Sequence, residues 1–357
     1  MSSPRYWPSM TDYQQALQSP ALAFSSSELQ SGAPVETKLG LPRPICGTFA
    51  SVYELVNGHR RWAVKCFLRN TPDLHKRYAR ISDHLRKHQR LGYFVAFEYQ
   101  EEAIRVRGEL FPLVKMEWVD ACQLNTFIEQ NLSNPRALSK LRKRWGRLVS
   151  DLRSANIAHG DLQHGNVLVL PNGDIRLIDY DGMWVPTLEG EKSNETGHPD
   201  FQNPGRTHND FHCGIDEFSA AVIEIAISAL IRDPSLWEKY NNGDNILFRR
   251  RDFVNPQRSP LMADLQAMND RGIRKNLDFV INACTSAKRA SKHPARPASK
   301  NKRVEAPAPT PASWLTDHVE DYGTPPQSPR RSAVVSAPPP RQSSVGMLGK
   351  VVGWLLK

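Results

Sequence analysis

Residues 159–182, HGDLQHGNVLVLPNGDIRLIDYDG, constrain the fold more tightly than any other stretch of the chain. Val167 to Leu170 and Ile175 to Ile178 are apolar runs of strand length, and Asn172-Gly173 between them is the residue pair that closes a tight hairpin. The pattern predicts a β-ribbon. Asp161 and Asn166 precede it and Asp179 follows it, so two carboxylates and one carboxamide flank a single short supersecondary unit. Oxygen donors of this kind suit a hard cation such as Mg2+.

Asp161 and Asn166 match the Asp and Asn of the kinase catalytic loop H-R-D-x-x-x-x-N, and Asp179 stands where such enzymes carry a metal-binding Asp. The chain resembles the protein-kinase-like superfamily over roughly residues 35–285. The resemblance implies an α+β, two-lobed kinase-like fold with a small β-rich lobe and a larger helical one. It also implies ATP and Mg2+ as cofactors. Asp161 would orient the acceptor hydroxyl, while Asn166 and Asp179 would hold the metal that bridges the phosphates.

The 357 residues, 39% of them hydrophobic, suffice for one two-lobed domain with appendages. Five scattered cysteines without a C-x-x-C pair argue against a zinc ribbon or a disulfide framework and predict a reducing, cytoplasmic setting. The first ten residues lack the charged and apolar segments of a secretory signal, and no run of about 18 apolar residues predicts a membrane span. The net charge of +10 is concentrated beyond residue 286, where twelve Lys or Arg face four Asp or Glu. The preceding residues hold 35 against 33, so no specific nucleic-acid partner is predicted for the folded part.

The pattern divides the chain into an N-terminal extension (1–34), a first lobe (35–119), a second lobe (120–286), a basic Pro/Ser/Ala-rich disordered linker (287–344) and a short amphipathic segment (345–357). The extension is expected to carry a short helix over 12–17. Ser51 to Leu55 and Trp62 to Phe67 read as strands joined around Asn57-Gly58, residues 72–90 as a helix, and Tyr93 to Tyr99 and Leu110 to Trp118 as further strands. From Leu124 onward helical periodicity dominates, including 137–156 and 218–230.

The resemblance also assigns a nucleotide pocket. Lys65 in W-A-V-K takes the place of the phosphate-contacting lysine of V-A-I-K; as an isolated feature it would be a solvated strand lysine. Gly47 is the one glycine retained in a stretch similar to the Gly-rich loop G-x-G-x-x-G-x-V, which ends at Val52. Met116-Glu117-Trp118-Val119 resembles the hinge, where backbone groups of Glu117 and Val119 would meet adenine, with Val52, Ala63 and Leu168 packing on its faces. Each apolar residue, taken singly, is equally an ordinary core residue.

Residues 197–204 are similar to the segment ending in A-P-E, and Asp216 to the Asp that braces the catalytic loop; Asp216 taken by itself is an N-cap, and both roles can coexist. That arrangement favours a protein substrate. Several positions depart from the family: Gly160 replaces the Arg of H-R-D, Gln163 replaces a Lys, Gly205 replaces the Glu of A-P-E, and the 72–90 helix has no Glu to pair with Lys65 unless Asp73 or Asp83 substitutes. D-Y-D-G offers Asp181 as a second candidate beside the favoured Asp179.

The whole is similar to a divergent bacterial kinase-like family whose genes often accompany metal-dependent phosphatases, which implies a partner phosphatase. The expected activity is phosphoryl transfer to a protein hydroxyl, of Ser or Thr. A nucleotide-binding scaffold without activity and a small-molecule phosphotransferase are the alternatives. Thr324 to Arg331 reads as a linker or a phosphorylated docking stretch. Residues 345–357, with Leu348, Val351, Val352 and Leu355 on one face, read as folding back, lying on a membrane surface or entering a partner groove.

Overall fold

The computed structural model describes residues 6–47 and 49–292. The chain is a mixed α+β protein, with two antiparallel sheets among the described residues. Strands β1 (Ala33–Pro34), β2 (Pro44–Cys46), β3 (Ala50–Asn57), β4 (Arg60–Phe67), β5 (Phe97–Val106) and β6 (Glu109–Glu117) form the first sheet, in the order β1-β3-β4-β6-β5 with β2 also paired to β3. Gly58 takes φ +59° in the β3–β4 turn, a conformation that costs glycine little, and Asn57 pairs with Arg60 across it. Two-residue alternation then gives the sheet two different faces.

One face carries Tyr53, Leu55, Val64, Cys66 and Leu113, all buried. Helices α1 (Met10–Ala16), α2 (Pro20–Ala23) and α3 (Ser27–Gln30) cover it, placing Tyr13, Leu17, Phe24 and Leu29 in the same apolar cluster. Ser9 and Asp12 form a reciprocal capping box at the start of α1, and Tyr13 Oη donates to the Phe67 carbonyl at 2.9 Å. The segment read as an extension over 1–34 is, from residue 7 on, a packed layer on this sheet. Helices of four residues are too short to show a period in the sequence. Burying each large side chain there contributes about 1.5–3 kcal/mol.

The opposite face carries Val52, Ala63, Lys65, Val114 and Met116 in register. Helix α4 (Leu74–Lys87) packs here through Tyr78, Ile81 and Leu85. The strand expected from Tyr93 starts at Phe97 and runs to Val106. Residues 93–95 are held elsewhere: the Tyr93 carbonyl accepts from Leu177 N at 2.8 Å and Val95 N donates to Tyr180 Oη at 2.9 Å.

Beyond residue 123 the structure is largely helical: α5 (Leu124–Gln130), α6 (Pro135–Ser154), α7 (Glu217–Arg232), α8 (Ser235–Tyr240), α9 (Arg250–Val254), α10 (Pro260–Ala267) and α11 (Arg271–Lys292). Asn134 caps α6, its side chain accepting from Ala137 N at 3.1 Å ahead of Pro135. Helix α7 is buried along its whole length from Phe218 to Leu230, and Trp145 of α6 donates to the Ala220 carbonyl at 3.2 Å. The second sheet joins β7 (Cys122–Gln123), β8 (Val167–Val169) and β9 (Ile175–Leu177); the last two form the ribbon the sequence predicts.

The five cysteines are unpaired. Helix α11 runs to Lys292, six residues past the expected domain end; the rest of the linker and the segment 345–357 lie outside the described residues. Among the described residues no helix is long and apolar enough to cross a membrane.

Candidate active site

The turn that carries Asp161 is built by glycine and by one distant carboxylate. Gly160 adopts φ +80°, and a Cβ there would lie 1.9 Å from the Gly182 carbonyl oxygen, so no other residue fits without moving the backbone. This accounts physically for the absence of arginine at that position. Asp216, at the head of α7, does not cap the helix with its side chain. Its Oδ1 instead accepts from Gly160 N at 2.8 Å and its Oδ2 from His159 N, which braces the turn. Burial pushes the Asp216 carboxyl up, with His159 and the two amides opposing.

Asp161 Oδ1 accepts from His198 N at 2.7 Å and Oδ2 from Asn166 Nδ2 at 3.0 Å. Asn166 Nδ2 also reaches the Asp161 carbonyl at 3.0 Å, so the amide side chain directs its donor at Asp161 and keeps its own oxygen for another partner. Burial raises the Asp161 pKa, against the His198 N–H and the ring of His159. Arg206 fastens the outer side of the turn, Nη1 donating to the Gly160 carbonyl and to Gln202 Oε1, each at 2.6 Å.

Asp179 follows β9 with φ +65°, in the left-handed region that Asp tolerates better than most residues. Lys65 Nζ, reaching down from β4, donates to Asp179 Oδ1 at 2.6 Å and to Asp181 Oδ2 at 2.7 Å. Burial opposes the lysine charge, but the two carboxylates outweigh it and hold the ammonium above its ordinary pKa. Desolvation at the cleft floor likewise opposes ionisation of Asp179, and Lys65 in contact overrides it, so this carboxyl titrates below its ordinary value. Asp73 pairs with Lys76 at 2.8 Å and Asp83 with Arg86, so neither helix aspartate is the partner of Lys65.

Comparison with known protein families finds no family model that matches this chain, and comparison with curated proteins finds none that matches.

The remaining positions singled out in the sequence lie around these charges. Val52 pairs with Lys65 across β3–β4, and Ala63 stands two residues from Lys65 on the same face, opposite the buried Met116. Glu117 N is taken by the Ala96 carbonyl at 3.1 Å and Trp118 N by Arg61 at 3.0 Å. Among the described residues the Val119 N–H has no protein acceptor. Leu168 turns to the opposite side of β8 from the buried Val167 and Val169. Gly47 N donates to the Ala50 carbonyl at 2.9 Å, and the Arg69 guanidinium lies 3.4 Å over the Phe49 ring, which closes this short loop.

Glu195 was not anticipated. Its carboxyl packs against Gly182, where an added Cβ would come within 2.6 Å of Oε1. Burial raises its pKa well above the ordinary range, reinforced by Asp179, Asp161 and Asp181. Nothing in the sequence separates Glu195 from Glu189 or Glu191 on the same polar stretch. A narrow cleft is lined by Phe49, Phe67, Leu74, Asp181, Asn194 and Glu195. A cavity of about 340 Å³ lies on the far face of the sheet between α1, α2 and the β5–β6 turn, away from these residues.

Among the described residues no three His, Cys, Asp or Glu side chains are arranged to hold a metal by themselves. Mg2+ in nucleotide sites takes one or two protein oxygens and completes its shell with phosphate and water. Asn166 Oδ1 and the 41%-exposed Asp179 side chain fit that requirement.

Proposed function

We propose that this chain is an ATP- and Mg2+-dependent protein kinase with a two-lobed kinase-like fold, transferring the γ-phosphoryl group to a Ser or Thr hydroxyl of a protein. The observation that carries the reading is convergence. Lys65 and Asp179, 114 residues apart, are in contact across the two sheets, beside a turn in which Asp161 and Asn166 are bonded to each other.

Asp161 is the group that accepts the proton of the attacking hydroxyl, and burial makes it a stronger base than an ordinary carboxylate. Lys65 places a positive charge where phosphates would lie. Asn166 and Asp179 would hold Mg2+, whose contribution when bound is to neutralise the charge on the phosphates. Val52, Ala63, Met116 and Leu168 supply apolar surface for a planar base, and Val119 has an N–H with no acceptor among the described residues. Catalysis in this reading is positioning and charge neutralisation. A protein acceptor and a partner phosphatase belong to the same proposal.

Two observations favour the scaffold reading: Glu195 adds a further carboxyl in the field of Asp161, Asp179 and Asp181, and His198 N occupies Asp161. Incubation of the purified chain with labelled ATP and Mg2+, beside Asp179→Ala, separates the readings. Label on protein from the wild type alone supports the kinase. Nucleotide binding without transfer favours the scaffold, and turnover that needs an added metabolite favours a small-molecule phosphotransferase.

A further inference from the structure

The lysine of the cleft lacks a glutamate partner from α4, and D-Y-D-G carries one aspartate more than a single metal ligand requires. The structure makes these two departures one arrangement. Tyr78, on the inner face of α4 and 2% exposed, donates its hydroxyl to Asp181 Oδ1. The other oxygen of Asp181 takes Lys65 Nζ at 2.7 Å. The phenol ring is held by stacking on Tyr99 (centroids 5.5 Å, 23° between planes) and by the edge of Phe97 (5.5 Å, 70°).

The two aspartates of the loop differ in the way their roles would require. The Asp181 side chain is 16% exposed with both oxygens engaged, whereas Asp179 is 41% exposed with one oxygen on Lys65. We infer that Asp181 is the positioning carboxylate of the site, the standing partner of Lys65 and its link through Tyr78 to α4, which leaves Asp179 to exchange Lys65 for metal. This rests on the kinase reading above.

The residue on α4 has to be a neutral donor. Asp179 and Asp181 already place two carboxylates on one lysine, and a helix glutamate would add a third. A phenol binds a carboxylate without adding charge. Burial and the adjoining carboxylates keep Tyr78 protonated, so it acts as a donor.

The test uses the full chain and two readouts: melting of the nucleotide-free protein, and ATP affinity by calorimetry with and without MgCl2. Asp179→Asn is expected to lose the gain in affinity that Mg2+ provides, while Asp181→Asn and Tyr78→Phe keep it. Without nucleotide, Tyr78→Phe and Asp181→Asn are expected to lower the melting temperature, by about 2–4 °C for each kcal/mol lost. Combined, they should cost less than their sum, because both break one link. Tyr78→Phe retains the packed ring, so it reads the link even if Asp181→Asn does not fold.

Loss of the Mg2+ gain in Asp181→Asn with its retention in Asp179→Asn overturns the inference by reversing the roles. Strict additivity of the double variant also overturns it, by removing the link. A wild type that binds no ATP at either Mg2+ level counts against the kinase reading instead, and the nucleotide-free melting comparison then still decides the Lys65–Asp181–Tyr78 link.

Discussion

Lys65, in β4, and Glu224, in α7, are both ionisable side chains held away from water, 9% and 3% exposed. Lys65 touches two carboxylates at 2.6 and 2.7 Å and stays charged. Glu224, inside α7, lies 3.9 Å from Arg142 and accepts from Ser228 Oγ at 3.3 Å. Burial pushes its carboxyl up to about 7, with Arg142 and Ser228 pulling the other way. Contact pairing keeps a buried group ionised where looser pairing at the edge of salt-bridge distance does not. Charge is thus maintained on Lys65 and Asp179, where the proposed chemistry uses it, and is partly given up at Glu224.

The sharpest way to break this comparison is Lys65→Met, which should lower phosphoryl transfer by about 10²–10³-fold. It is read with labelled ATP against the wild type, and unchanged turnover would show that the paired charge has no catalytic use.

Next in size is the pH dependence that Glu224 imposes. Its folded pKa of about 7 lies above the ordinary 4.5, so both states bind the proton below pH 4.5 and the folded state alone holds it between the two values. Stability therefore declines as pH rises through that window, by up to about 3 kcal/mol. Urea unfolding at pH 5 and pH 8 should show this slope in the wild type and a shallower one in Glu224→Gln, since Glu195 is raised in the same direction.

Asp216→Asn should cost about 2 kcal/mol, since an amide can keep only one of the two bonds to the amides of residues 159 and 160. Turnover should fall with it, as the turn carrying Asp161 loosens. Arg142→Gln is the smallest change, about 0.5–1 kcal/mol at pH 8, because Arg142 is 35% exposed and screened. Its titration window should move upward, and a downward move would contradict the assigned role of Arg142.

Asp161, Asn166 and Asp179 could be singled out in advance because the hairpin and its two flanking turns are local, and Lys65, Val52 and Ala63 through the resemblance of short stretches; strand alternation then puts those three on one face. Glu195 could not, since it sits in a loop without periodicity and reaches the site only because the chain after Gly190 folds back over Gly182. The N-terminal layer was equally hidden: α2 and α3 are one turn each, and their burial depends on a sheet formed later in the chain. Asp216 stood open between a cap and a brace until its two amide partners, more than fifty residues earlier, were in place.

Sequence alone determined the hairpin at Asn172-Gly173, the amphipathic helices and the residue types around the proposed cleft, because φ/ψ preference and apolar spacing act over a few neighbours. Only the tertiary structure decided which carboxylate is exposed, which one Tyr78 anchors, and that Lys65 meets both. Those contacts span 103 to 116 residues, and at that separation partners are chosen by how the two sheets and α4 pack, which no local pattern encodes.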